Sequence, residues 1–105
     1  MSLLASVRPT AGVETNVYTV PPGKKAVVNI TISCTTSSSG AVIDFGIQSV
    51  AGALAANEFI LNSMNVQTNS PLQFTGVALT SGNTIRLKSD NGSVNVSVNG
   101  VETTV

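Results

Sequence analysis

The residues from Val17 to Cys34, VYTVPPGKKAVVNITISC, constrain the fold more than any other part of the chain. Beyond the Pro21-Pro22-Gly23 turn, Ala26, Val28, Ile30, Ile32 and Cys34 alternate with Lys25, Val27, Asn29, Thr31 and Ser33. Successive side chains of a strand point to opposite faces, so a period of two puts the first set in a core and the second outside. The two prolines fix two φ angles and remove two N–H donors, and the glycine after them can take φ > 0. A sharp turn must therefore precede the long strand.

The same period recurs along the chain. A short strand over Glu14 to Val20 precedes the turn. After the polar loop TTSSSG (35–40), Ala41 to Val50 sets Ile43, Phe45 and Ile47 against Asp44, Gly46 and Gln48. With the strand before the loop, this segment is expected to form an antiparallel hairpin. AGALAAN (51–57) carries Gly52 and is too short for a stable helix, so it reads as a connection. Glu58 to Val66 is a less regular strand with a bulge expected near Asn62. Leu72 to Leu79 follows Pro71, with Gly76 as a bulge point. TSGN (80–83) is a turn, Thr84 to Ser89 points Ile85 and Leu87 inward, and DNG (90–92) reads as a hairpin turn into Val94, Val96 and Val98. VPPGKKAV and LTSGNTIR share one layout, which suggests similar corner geometry at residues 20–27 and 79–86.

Val, Ile and Thr supply 33 of the 105 residues, and branching at Cβ suits a pleated sheet better than a helix. The expected fold is all-β, an antiparallel β-sandwich or jelly-roll-like domain of about seven to eight strands over residues 14–105. Residues 1–13 show neither period and read as a short N-terminal arm. Its Leu3, Leu4, Val7 and Arg8 are the candidate partner contacts.

Chemistry is hard to place on this chain. With no histidine, Ser-His and Cys-His catalysis and His-based zinc sites are absent. The five carboxylates, Glu14, Asp44, Glu58, Asp90 and Glu102, form no paired motif of the kind that glycoside hydrolysis needs. SDNGSVN is rich in oxygen but lacks the repeated acids of a calcium loop, so it reads as a turn. Lys24-Lys25 and Arg86 with Lys88 are too few for a phosphate-binding surface, and the three Phe read as core. The lone Cys34 reads as a small apolar residue on the inner face of its strand. The tripeptides at Asn29, Asn91 and Asn95 that match a glycosylation site are expected by chance in a chain this rich in Asn, Ser and Thr. No stretch reaches the ~20 apolar residues of a membrane span, and MSLLASVRP lacks the basic start of a secretory signal. Five Lys plus Arg balance five Asp plus Glu, which gives no pull on nucleic acid or anionic membrane and little repulsion between copies. The expectation is a non-enzymatic protein with no cofactor, no metal and no small-molecule substrate.

Two stretches, YTVPPGKKAVVNITISCTTSS and TGVALTSGNTIRLKSDNGSVNVSVNGVE, resemble small structural proteins of tailed bacteriophage virions. The resemblance is carried by Tyr18, Val20, Pro21, Gly23 and Lys24, then Gly76, Leu79, Gly82, Asn83, Ile85 and Arg86, then Gly100, Val101 and Glu102. It implies a capsid decoration or cement protein on the virion surface, made in the bacterial cytoplasm. The implied partners are the major capsid protein and copies of the chain itself, as a homotrimer at local threefold sites. It also admits a tail, baseplate or fibre component, or a module for host adhesion or carbohydrate binding.

Overall fold

The computed structural model describes residues 2–34, 40–48, 59–68 and 71–105, without the side chains of Ser2, Phe59 and Asn62. The expected loop at 35–39, the connection at 51–57 and the strand start at Glu58 lie outside the described residues.

Among the described residues eight strands follow one another: β1 (Ser2–Val7), β2 (Thr15–Thr19), β3 (Lys24–Cys34), β4 (Ala41–Gln48), β5 (Phe59–Val66), β6 (Leu72–Leu79), β7 (Thr84–Ser89) and β8 (Val94–Thr104). The first pairs with the last, the second with the seventh, the third with the sixth and the fourth with the fifth, all antiparallel. The chain is thus one long two-stranded ribbon, folded over so that two further ladders form, β3 with β8 and β4 with β7. The result is two four-stranded sheets, β1-β8-β3-β6 (sheet A) and β2-β7-β4-β5 (sheet B). This is the jelly-roll arrangement of the antiparallel sandwich that the strand pattern leads one to expect.

Two expected hairpins are absent. β3 and β4 lie in different sheets, as do β7 and β8. The DNG segment turns the chain from one sheet to the other, because alternation fixes which side of a strand is buried and says nothing about its neighbour. The presumed arm is corrected as well, since residues 2–7 form β1 at the edge of sheet A. Leu4 is an extra residue in its ladder, between Leu3 opposite Asn99 and Ala5 opposite Val98. That slip breaks the period in the middle of a six-residue strand.

The core lies between the sheets. Val28, Ile30, Ile32, Val94, Val96 and Val98 of sheet A meet Ile43, Phe45, Ile85 and Leu87 of sheet B, all fully buried. Phe45 stacks on Phe74 across the sandwich, with ring centroids 5.3 Å apart. Cys34 ends the inner row of β3 with no exposed surface. Sheet B departs from simple alternation at one end, where Gly46, Gln48 and Thr84 on the outward parity are also buried.

Both corners with the shared sequence layout cross between sheets, β2 to β3 at Pro21–Gly23 and β6 to β7 at Thr80–Asn83. They are hydrogen-bonded to each other. Gly82 N donates to Val20 O at 3.1 Å, Val20 N donates to Asn83 O at 3.0 Å, and Ser81 Oγ donates to Lys24 O at 2.7 Å. Gly23 and Gly82 take φ of 77° and 83°, the left-handed region that glycine enters without a Cβ penalty.

The edges differ from the centre. Each of the four edge strands carries a register shift: β1 at Leu4, β2 at Val17, β5 at Asn62 and Ser63, and β6 at Thr75 and Gly76. The central β3–β8 and β4–β7 ladders run without one. The bulges of β5 and β6, expected near Asn62 and Gly76, are each pinned from the adjacent central strand. Ser63 N donates to Asp44 Oδ1 at 2.8 Å, and Gly76 N donates to Asn29 Oδ1 at 3.0 Å.

Candidate partner-binding surface

The outward faces of the two sheets are chemically unlike. On sheet B, β7 presents Arg86 and Lys88, and Lys88 stands opposite Asp44 of β4. Arg86 Nε donates to Glu14 Oε1 at 3.0 Å, a half-buried ion pair. On sheet A, the outward row of β3 reads Lys25, Val27, Asn29, Thr31, Ser33, and that of β8 reads Asn95, Ser97, Asn99, Val101, Thr103. Between Lys25 at one end and Arg8 at the other, none of the described residues on this face carries a charged side chain.

Across it runs an apolar stripe. Val27 pairs with Val101 on one side and Ala78 on the other, and Val27 and Val101 are 49% and 51% exposed. Beside the stripe, Lys25, Ala26, Val27, Ala78, Leu79, Thr80 and Thr103 line a shallow groove of about 290 Å³. Next to it come Leu3, Asn99 and Asn29, successive partners across β1, β8 and β3.

The four residues expected to contact a partner divide into two groups. Leu3 is 62% exposed on the outer side of β1, so it belongs to this face. Leu4 and Val7 are half-buried against the core and hold β1 on the sandwich. Arg8 is exposed, and its Nε donates to Asn95 Oδ1 of β8 at 2.8 Å. Sequence reasoning missed Val27 and Val101 as surface features. Each stands at an outward position among polar neighbours, but that they are adjacent follows only from the β3–β8 register.

The other candidate residues have structural occupations. Tyr18 of β2 donates its hydroxyl to Glu102 of β8, tying the sheets together at one end. Burial, and then the adjacent Glu102 carboxylate, raise the Tyr18 phenol well above its ordinary value, because both disfavour phenolate. Asp90 Oδ1 accepts from Val42 N at 3.0 Å, Asn91 Oδ1 from Ser93 N at 2.9 Å, and Asn91 Nδ2 donates to Gly40 O at 3.1 Å. The oxygen-rich DNG segment is therefore spent on its own turn. The basic pairs do not gather, since Lys24 and Lys25 begin a strand of sheet A while Arg86 and Lys88 lie on sheet B. Among the described residues no three His, Cys, Asp or Glu are grouped as a metal site requires. No described helix is long and apolar enough to cross a membrane.

Several of the positions quoted for the resemblance have structural roles. Val20, Gly82 and Asn83 form the joined corners, Tyr18 and Glu102 the tie between sheets, and Gly76 a bulge. At Gly100 a Cβ would lie 2.3 Å from Val27 O and 2.9 Å from Val28 Cα, so only glycine fits there. These residues build the scaffold, and the outer face of sheet A is what the scaffold presents. Comparison with known proteins finds no matching family model, no matching curated protein and no matching solved structure.

Proposed function

We propose that this protein is a non-enzymatic structural subunit of a bacteriophage virion, of the capsid decoration or cement kind. It adds to the surface of the head, joins the major capsid protein and further copies of itself, and stabilises the contacts between capsid subunits. The observation that carries the reading is the outer face of sheet A, a nearly uncharged surface with an apolar stripe, in a molecule whose four described sheet edges are all bulged. Bulged edges resist strand addition, and an uncharged face gives neither nucleic acid nor anionic lipid a hold. Such a surface suits packing against protein, where amide, hydroxyl and aliphatic groups lose water at little electrostatic cost.

Co-sedimentation of the purified protein with tailless, undecorated heads of the parent phage tests the proposal. Saturable binding at a fixed ratio to the major capsid protein, with heads that then resist heating, is the expected result. Failure to bind heads, together with association with tails or host cells, would overturn it in favour of a tail, baseplate, fibre or adhesion role.

A further inference from the structure

We infer that the outer face of sheet A is a homotypic interface, on which two copies pack face to face about a two-fold axis through the Val27–Val101 pair. The inference rests on the structural-subunit reading and names the partner of its principal surface as a second copy of the chain.

Four features of the surface select that occupant. Edge-to-edge pairing of sheets is blocked, because every edge strand carries an extra residue that interrupts the ladder a neighbour would have to continue. The face is also large enough. Four strands about 4.8 Å apart, with a rise of about 3.3 Å per residue along the β3–β8 ladder, give roughly 600 Å² per copy, or roughly 1,200 Å² in a pair, where specific interfaces begin. Thirdly, the face complements itself. Asn99 and Ser97 each carry both a donor and an acceptor, so a rotated copy presents partners. Among the described residues this face carries only Lys25 and Arg8, near its opposite ends, so copies laid on one another meet few like charges. Finally, Val27 and Val101 sit side by side on central strands, so a two-fold axis running between them along the strands lays one copy's Val27 on the other's Val101 and keeps the whole face covered.

The symmetry differs from the threefold that capsid sites suggest. A closed ring of three needs two different complementary patches on each copy, whereas one self-complementary face makes a pair. In such a pair the charged outer face of sheet B and the loop ends remain available to the head.

The full-length protein is measured by sedimentation velocity and light scattering from low to high micromolar concentration, beside three single variants checked by circular dichroism. Wild type is expected at twice the 10.7 kDa chain mass in the upper part of the range. Val27→Lys and Val101→Lys each set two like charges close together across the axis and are expected to weaken pairing about a hundredfold or more, leaving monomers. Val42→Lys, on the outer face of sheet B, is expected to pair like wild type. A wild type that stays monomeric throughout, a mass of three chains, or pairing that survives in a folded Val27→Lys or Val101→Lys protein would overturn the inference. The same samples go to the head-binding assay, which separates the two readings. Pairs that ignore heads would remove the cement role and keep the interface, and heads that take up an obligate monomer would do the reverse.

Discussion

The centre and the rim of this sandwich solve opposite problems with nearly the same residue types. In the centre, β3 and β8 stay in register over eleven residue pairs, with fully buried aliphatic side chains at Val28, Ile30, Ile32, Val94, Val96 and Val98. At the rim every strand slips by at least one residue, and β1 has no fully buried side chain among those described. Central strands have neighbours on both sides and gain from an unbroken ladder. An edge strand with an unbroken ladder would invite another molecule to extend it, so here regularity is a hazard and the bulge a protection.

The contrast can be broken most severely from the centre. Ile30→Asp buries an unpaired carboxylate at a position with no solvent exposure, at a cost of several kcal/mol against a total stability of about 5–15 kcal/mol. Circular dichroism should show an unfolded chain at 25 °C, and a wild-type melt would refute the assignment of that face to the core.

Deleting residues 1–9 tests the rim. It removes β1 and uncovers the unbulged edge of β8, so the expected product is less stable by about 2–4 kcal/mol and self-associates through strand pairing. Gel filtration showing a soluble species of unchanged melting temperature would count against the protective role of β1.

Two glycines then sharpen the comparison. Gly100→Ala drives a methyl group into the backbone of β3, and about 3 kcal/mol of destabilisation is expected in urea titration. Gly76→Ala meets no atom within 4 Å and suffers only from its φ of 66°, about 1 kcal/mol. The reverse order would mean that the β6 bulge, and not the central ladder, is the tighter element.

The smallest effect lies where rim meets centre. Tyr18→Phe removes the hydroxyl donated from β2 to β8, worth about 1–2 kcal/mol at neutral pH. Tyr18 has a raised folded value, so its contribution is fully present below the unfolded value of 10.0 and is lost as pH rises beyond it toward the folded value. Melts above pH 10 should therefore fall more steeply for wild type than for Tyr18→Phe.

How much of this was legible in the sequence depends on how far each fact reaches along the chain. The inner rows of β3 and β8 could be read directly, since alternation within one strand is local, and so could the turn-forming glycines and the bulge at Gly76. Strand neighbours were not legible. Val27 meets Val101 across more than seventy residues, and no local pattern distinguishes that partner from the nearer β4. β1 was read as an arm for a related reason, because one extra residue at Leu4 is enough to scramble the alternation of a short strand. The candidate surface was half visible for the same cause. Leu3 stood out as an apolar residue in an irregular segment, while Val27 looked like a lone exception on a polar face until β8 was laid beside it.

The ladder between β3 and β8 also sets a timetable. It joins Lys24 to Thr104, so the centre of the protein cannot form until β8 has emerged from the ribosome. Until then β3 has only the edge strand β6 as a hydrogen-bonded neighbour. Contacts this distant in sequence make for slow folding, on the order of milliseconds to seconds. A nascent chain that stalls before Val94 thus lacks Val94, Val96 and Val98 from its core and exposes the aliphatic side chains they would cover to chaperones and proteases.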